Sequence, residues 1–331
     1  MTKTGTLRWG FLGTARINRS VIPPLRASRR NRVDAVASRT LERAEAYARQ
    51  WGIERVFGSY DAMLADPAID VVYIALPNAL HAMWTVRAVE AGKHVLCEKP
   101  LALSVAEVDA VIAAAARHGR VVAEGFRYRH HPQTALVRQL VAGGALGDLR
   151  LVRGSFTLHH TRVEDARWDP ALGGGSLWDI GCYPVSFARL VSGVEPVEVQ
   201  GSQVLGPTGV DVSFAGVLRF PGGVLAVVDS SFVAPFHTGV EIVGSAATLR
   251  VSSPFKPGRE ASVVIVGEDG SSREVPAGAQ DSYTGEVEDL ARAVLDGAPP
   301  TMSLADSRGN VATLVALYEA ARTGGSASIR I

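Results

Sequence analysis

The chain has 331 residues, 47% hydrophobic and 20% charged, with a net charge of +1. That is too long for one ordinary core and too evenly composed for a disordered or collagen-like chain, so two globular domains are expected. The near-zero charge argues against nucleic acid or an anionic membrane as a partner, and Cys97 and Cys182 are too few for a disulfide framework or a metal cluster.

The opening MTKTGTLRWGFLG lacks the apolar core and cleavage site of a secretory signal. No run reaches the ~18 apolar residues of a membrane span, so a cytoplasmic protein is expected. The first third alternates short apolar runs with helix-forming stretches. The runs are 7–12, 33–37, 71–75, 94–97 and 121–123. The helical stretches are 17–27, 41–51, 81–91 and 105–118. Continuous apolar strands alternating with helices predict a doubly wound parallel sheet covered on both faces, an α/β domain over 1–126.

After Phe126 the pattern changes. A helix at 132–141 is followed by strand-like runs at 149–156, 197–204, 212–220, 224–232, 240–243, 248–251 and 263–266. Turns such as Pro221-Gly222-Gly223 and Asp269-Gly270 bound them, as in antiparallel meanders. Helices are expected at 176–190, 283–295 and 304–321. This predicts a second, α+β domain over 127–331 with an open, mostly antiparallel sheet.

The first strand ends in Gly13-Thr14-Ala15-Arg16-Ile17-Asn18. The dinucleotide fingerprint has Gly where Ala15 stands, and Gly or Ala where Asn18 stands. The context still fits: Gly13 permits a sharp turn, Ala15 is small, and the amides opening the helix face an anion. A strand-turn-helix without ligand is the alternative. The second strand ends at Ser38-Arg39, where NAD-preferring sites carry an acid. Arg39, with Ser38 and with Arg43 on the next helix, suits a 2′-phosphate instead, so NADP(H) is expected over NAD(H). A solvated loop arginine is the plain alternative. Leu76-Pro77-Asn78, His81 and Glu98-Lys99-Pro100 follow other strands at their carboxyl ends, where ligands of open α/β sheets bind. Asn78 reads equally as a helix cap and His81 as a helix-face residue.

PNALHAMWTVRAVEAGKHVLCEKPLAL (77–103), HHPQ (130–133) and GGGSLWDIGCYP (173–184) closely resemble the Gfo/Idh/MocA oxidoreductases, in order along nearly the whole chain. The resemblance implies a Rossmann domain followed by an α/β domain whose open sheet commonly forms an oligomer interface, here a homodimer or homotetramer. It also implies hydride exchange between a nicotinamide cofactor and a sugar or polyol. The family's EKP lysine falls on Lys99 and its downstream aspartate on Asp179. Tyr183 stands where many members have histidine, as in the branch of glucose–fructose oxidoreductase, dimeric dihydrodiol dehydrogenase and sugar ketoreductases.

Asp179 and Tyr183 are four apart on one helical face, in a segment where Gly181 and Pro184 cost about 1 and about 3 kcal/mol relative to alanine. Local rules broken together mark a functional or strained site; an irregular helix start with a core tyrosine is the alternative. A tyrosine at its usual pKa of ~10 is a poor base, and a lysine ammonium beside it favours the phenolate. Tyr183 and Lys99 are thus the expected acid/base pair, either of them able to carry the proton, with Asp179 holding a substrate hydroxyl or tuning the pair. Arg129 and His131 are candidates to line the substrate cleft. Arg167 and Trp168 are candidates to close over the cofactor, a surface Arg and a core Trp being the alternative. His130-His131 and His159-His160 lack metal-ligand spacing, so no metal is expected. Two further readings remain at this level: a nucleotide-binding regulator without catalysis, and a sugar–sugar oxidoreductase that keeps its cofactor bound.

Overall fold

The structure is a computed structural model that describes residues 5–329. It divides into two compact units, 1–127 with 283–307, and 128–282 with 308–331.

The first unit carries β1 (Leu7–Leu12), α1 (Asn18–Ala27), β2 (Asn31–Ala37), α2 (Leu41–Trp51), β3 (Arg55–Phe57) and α3 (Tyr60–Leu64). These are followed by β4 (Val71–Ile74), α4 (His81–Glu90), β5 (His94–Glu98), α5 (Val105–His118) and β6 (Val122–Gly125). The six strands form one sheet in the order β3-β2-β1-β4-β5-β6, and every pairing is parallel. This is the doubly wound dinucleotide-fold order, with its reversal between β1 and β4. Trp9, Phe11, Val36, Val71, Tyr73 and Leu96 fill one core. Ser104 caps α5 and Thr40 caps α2, each accepting an amide three residues on, and Gly52 and Gly119 end the same helices with left-handed backbone.

The second unit carries α6 (Pro132–Ala142), β7 (Leu149–His159), a π turn (Leu177–Gly181) that runs into α7 (Cys182–Ser192), and β8 (Glu198–Leu205). Then come β9 (Asp211–Arg219), β10 (Leu225–Ser231), β11 (Val233–Gly244), β12 (Ala247–Val251), β13 (Glu260–Gly267) and β14 (Ser272–Ala279). Helices α8 (Ser282–Asp296) and α9 (Leu304–Thr323) and a short β15 (Ser326–Ser328) close the chain. Nine strands form one sheet, β14-β13-β12-β11-β7-β10-β9-β8-β15, antiparallel except for the parallel pair β7–β10. On β7, β9 and β10, Phe156, Phe214 and Val228 point to a buried face, while Arg153, Val217 and Val227 point to an exposed one. This is the period-two pattern of a sheet covered on one side.

Three differences from the sequence reading stand out. The second domain is not one continuous stretch 127–331, because residues 283–307 group with the first unit. Tyr283, Val287, Leu290, Ala291 and Leu295 of α8 lie in the core of Trp9 and Tyr73. The strand β3 and helix α3 were not expected. Nor were β14 and β15, whose residues are mostly exposed and lack an apolar repeat.

Candidate active site

In the first unit, Gly13 turns the chain with φ +92°, and a Cβ there would sit 3.0 Å from Leu76 Cδ2. The Gly13 amide donates to the Ala37 carbonyl (2.9 Å). The buried Asn18 amide group donates to the Gly13 carbonyl (3.0 Å), so this departure from the fingerprint braces the turn from below. No amide from Thr14 through Ile17 donates to a backbone carbonyl among the described residues. These are the open donors of a helix start, and they fit the phosphates of a dinucleotide. Ser38 is buried, its amide spent on the Phe57 carbonyl (3.1 Å), while Arg39 and Arg43 are exposed.

Leu76, Pro77 and Asn78 lie half-buried beyond β4, Asn78 opening a 3-10 turn before α4. His81 is 1% exposed, with Nδ1 2.7 Å from the Pro100 carbonyl and Nε2 2.8 Å from the Leu76 carbonyl. It ties two strand-end loops together, and burial holds its pKa down against both carbonyls. Glu98 ends β5 and accepts from Tyr73 Oη (2.6 Å). Lys99, half-buried, follows it into a cis bond with Pro100, and Glu124 receives the Leu101 amide just beyond (2.9 Å). Both oxygens of Glu286 on α8 are buried without a hydrogen-bond partner among the described residues. Burial, and then the charge of Glu98, push its carboxyl well above the usual range.

In the second unit the site is built on the π turn. Pro184 brings no amide to the ladder, so the helical bond it would make to the Ile180 carbonyl is missing, and a wider turn precedes α7. Close packing explains the glycines. A Cβ on Gly181 would meet Ser230 Oγ at 2.8 Å, and one on Gly154 of β7 would meet Pro184 Cβ at 2.8 Å. Asp211 at the head of β9 caps the turn: its Oδ2 accepts from Ser176 Oγ (2.7 Å) and the Leu177 amide (2.8 Å). Its Oδ1 accepts from Tyr318 Oη (2.6 Å) on α9. Burial raises the Asp211 pKa against these three donors.

The turn presents Asp179, and the start of α7 presents Tyr183 four residues on; they are 8% and 7% exposed. The Tyr183 ring packs among Tyr128, Phe156 and Phe255, with centroids 5.6–6.0 Å apart. Asp179 Oδ2 accepts from Arg167 Nε (2.7 Å), and Arg167 Nη1 reaches Asp165 (3.0 Å). The charge of Asp179 raises the Arg167 pKa further still. Trp168 is buried and donates from Nε1 to His160 Nδ1 (2.9 Å). Arg129 Nη1 lies 3.3 Å from Ser186 Oγ on α7. His131 caps α6 and sets Nε2 3.1 Å from the Gln280 carbonyl. Among the described residues no three His, Cys, Asp or Glu side chains gather as metal ligands.

Asp179 and Tyr183 thus share one turn, and Lys99 stands at a strand end of the other unit. The Arg167–Asp179 pair, the Asp211 cap and Glu286 were missed in sequence, where only the density of glycines around 173–181 hinted at close packing.

The family model for the oxidoreductase family with an NAD-binding Rossmann fold matches residues 7–126, and the GFO/IDH/MocA C-terminal domain model matches residues 134–250. The chain is 38% identical to a D-xylose 1-dehydrogenase (NADP(+)) of Haloferax volcanii, over 98% of this chain and 100% of that one. It is similar to the structure of a 3-ketoreductase from Actinomadura kijaniata in complex with NADP and TDP-benzene. The TM-score is 0.90, with 31% identity over 97% of this chain and 98% of that one. That ketoreductase has also been solved with one lysine and with one tyrosine replaced, and the two stand as many positions apart as Lys99 and Tyr183. An aldose-aldose oxidoreductase from Caulobacter crescentus matches with TM-score 0.90 and 29% identity, over 98% of this chain and 99% of that one.

Proposed function

Since the chain belongs to the Gfo/Idh/MocA family and is an NAD(P)-dependent oxidoreductase acting on CH–OH groups, we propose that it works on a sugar or polyol with NADP(H). The reaction is oxidation of an aldose or reduction of a keto-sugar. The observation that carries this reading is the capped π turn, which holds Asp179 and Tyr183 buried on one turn in a chain that also keeps the EKP lysine.

The bound dinucleotide supplies the hydride acceptor or donor. Tyr183 Oη takes the proton of the substrate hydroxyl in oxidation and returns it to the carbonyl oxygen in reduction. Lys99 Nζ holds the same oxygen and, as an ammonium, favours the phenolate. Asp179 accepts from a neighbouring substrate hydroxyl, and Arg167 balances its charge. Thr14 through Ile17 meet the pyrophosphate, and Ser38, Arg39 and Arg43 meet the 2′-phosphate. The lysine–tyrosine spacing shared with the ketoreductase supports the pairing. Reduction of NADP+ by a panel of aldoses, and oxidation of NADPH by keto-sugars, tests the reading; silence in both sinks it.

Likeness to the aldose-aldose oxidoreductase favours a second reading, in which the cofactor stays bound and shuttles hydride between two sugars. Nicotinamide absorbance that survives exhaustive dialysis distinguishes it. The exposed face of the second unit's sheet, where Val217 pairs with Val227 at 37% and 42% exposure, is assigned to a second copy of the chain. Light scattering that finds only monomer refutes this. No helix among the described residues is long and apolar enough to cross a membrane.

A further inference from the structure

The three neighbouring strands β3, β2 and β1 are followed, within one to three residues, by Tyr60, Arg39 and Gly13 in turn. Ser59 caps the short α3, its hydroxyl accepting the Ala62 amide (3.1 Å), and this starts the helix with Tyr60 as its first residue. From there the side chain reaches across the end of β2. Its hydroxyl lies 3.8 Å from where a Cβ on Gly13 would stand.

The ring is fixed from behind. It stands edge-on to Trp84 of α4, with centroids 5.0 Å apart. Arg87 lies 4.5 Å over the Trp84 ring and pairs with Asp61 (2.6 Å). A phenylalanine would make that contact as well, so packing does not account for the hydroxyl. The hydroxyl bonds to no described residue, though it lies over the glycine turn. The charges of Arg39 and Arg43 both act on it, opposing the upward push of burial on its pKa. A donor with no described partner, fixed at strand ends between which Arg39 and Arg43 follow β2, is one part of an anion site.

We infer that Tyr60 is a specificity-determining residue whose hydroxyl donates to the 2′-phosphate of the dinucleotide, alongside Arg39 and Arg43. This rests on the NADP(H) reading above. The pyrophosphate is the competing acceptor, because the hydroxyl also lies over the glycine turn, but that turn already offers open amides, whereas Arg39 and Arg43 both follow β2, the strand between β3 and β1.

Calorimetric titration with 2′,5′-ADP and with 5′-AMP separates the possibilities, because the two differ only in the 2′-phosphate. The intact protein is expected to prefer 2′,5′-ADP. Tyr60→Phe keeps the ring contact, and an unchanged melting temperature verifies its fold. It is expected to weaken 2′,5′-ADP about tenfold or more, as for loss of a hydrogen bond to a charged group, and 5′-AMP less than twofold. Equal affinity of the intact protein for both nucleotides overturns the NADP(H) reading and this inference with it. A preference that Arg39→Ala abolishes and Tyr60→Phe leaves intact overturns the inference alone. Equal weakening of both nucleotides in Tyr60→Phe moves the hydroxyl to a shared phosphate and also overturns it.

Discussion

At the ends of β1, β2 and β3 the first unit leaves donors open: the amides from Thr14 to Ile17, the exposed guanidinium groups of Arg39 and Arg43, and the Tyr60 hydroxyl. Around the π turn of the second unit the polar groups are spent on one another. Asp211 takes three donors, and Arg167 bridges Asp179 and Asp165. The first arrangement is open to a ligand, and the second is paired within itself. On the function proposed above, the dinucleotide would meet a loose set of donors that it organises, and the reacting oxygen a turn already set in place.

The largest effect that sharpens this contrast is expected at Lys99. Lys99→Ala should lower turnover about a hundredfold or more, the usual worth of a positioned acid/base partner, as read by steady-state kinetics. Turnover within a few-fold of the intact enzyme would remove Lys99 from the chemistry.

Next comes the cap of the π turn. Asp211→Ala strands a hydroxyl, an amide and a phenol in a buried place, at a cost of about 3 kcal/mol or more, and should lower the melting temperature by several degrees. Tyr318→Phe removes only one of those bonds and should cost about 1 kcal/mol. If the two variants melt alike, the turn is not held by Asp211.

How far the sequence reveals these two regions follows from the range of the contacts. The parallel strands of the first unit are continuous apolar runs and are visible at once. The three residues of β3 are half-buried and show no period, and that loss also hid Tyr60. Asp179 and Tyr183 were singled out by the family resemblance, and their four-residue spacing puts them on one helical face. Their supports were not: Asp211 meets Leu177 across 34 positions and Tyr318 across 107. Arg167 is a candidate cofactor contact or a surface arginine in sequence, and nothing local shows that its fork turns to Asp179. The apolar stripe of α8 was visible, but a stripe does not say which core receives it.

At the open end of the comparison, Arg39→Ala should weaken NADPH about tenfold with little change for NADH, measured by fluorescence titration. The loss should shrink at high salt, because Arg39 is exposed. Equal losses for both nucleotides would place Arg39 elsewhere.

The smallest effect concerns Glu286. Burial and the charge of Glu98 raise its carboxyl pKa in the fold well above that of the unfolded chain, near ~4.3. Above that value the folded state binds the extra proton, so this group makes stability fall as pH rises toward its folded pKa. Glu286→Gln removes the penalty. Its gain in melting temperature should be absent near pH ~4 and reach a few degrees at neutrality. A gain of equal size at both pH values would contradict a buried neutral acid.

Whether Tyr183 moves the proton while other residues hold the dinucleotide is decided by single-turnover hydride transfer in Tyr183→Phe with its substrate and NADPH bound. The prediction is NADPH affinity within twofold of the intact enzyme and transfer slowed about a hundredfold or more. Unchanged transfer, or a loss explained by weaker NADPH binding, would contradict it.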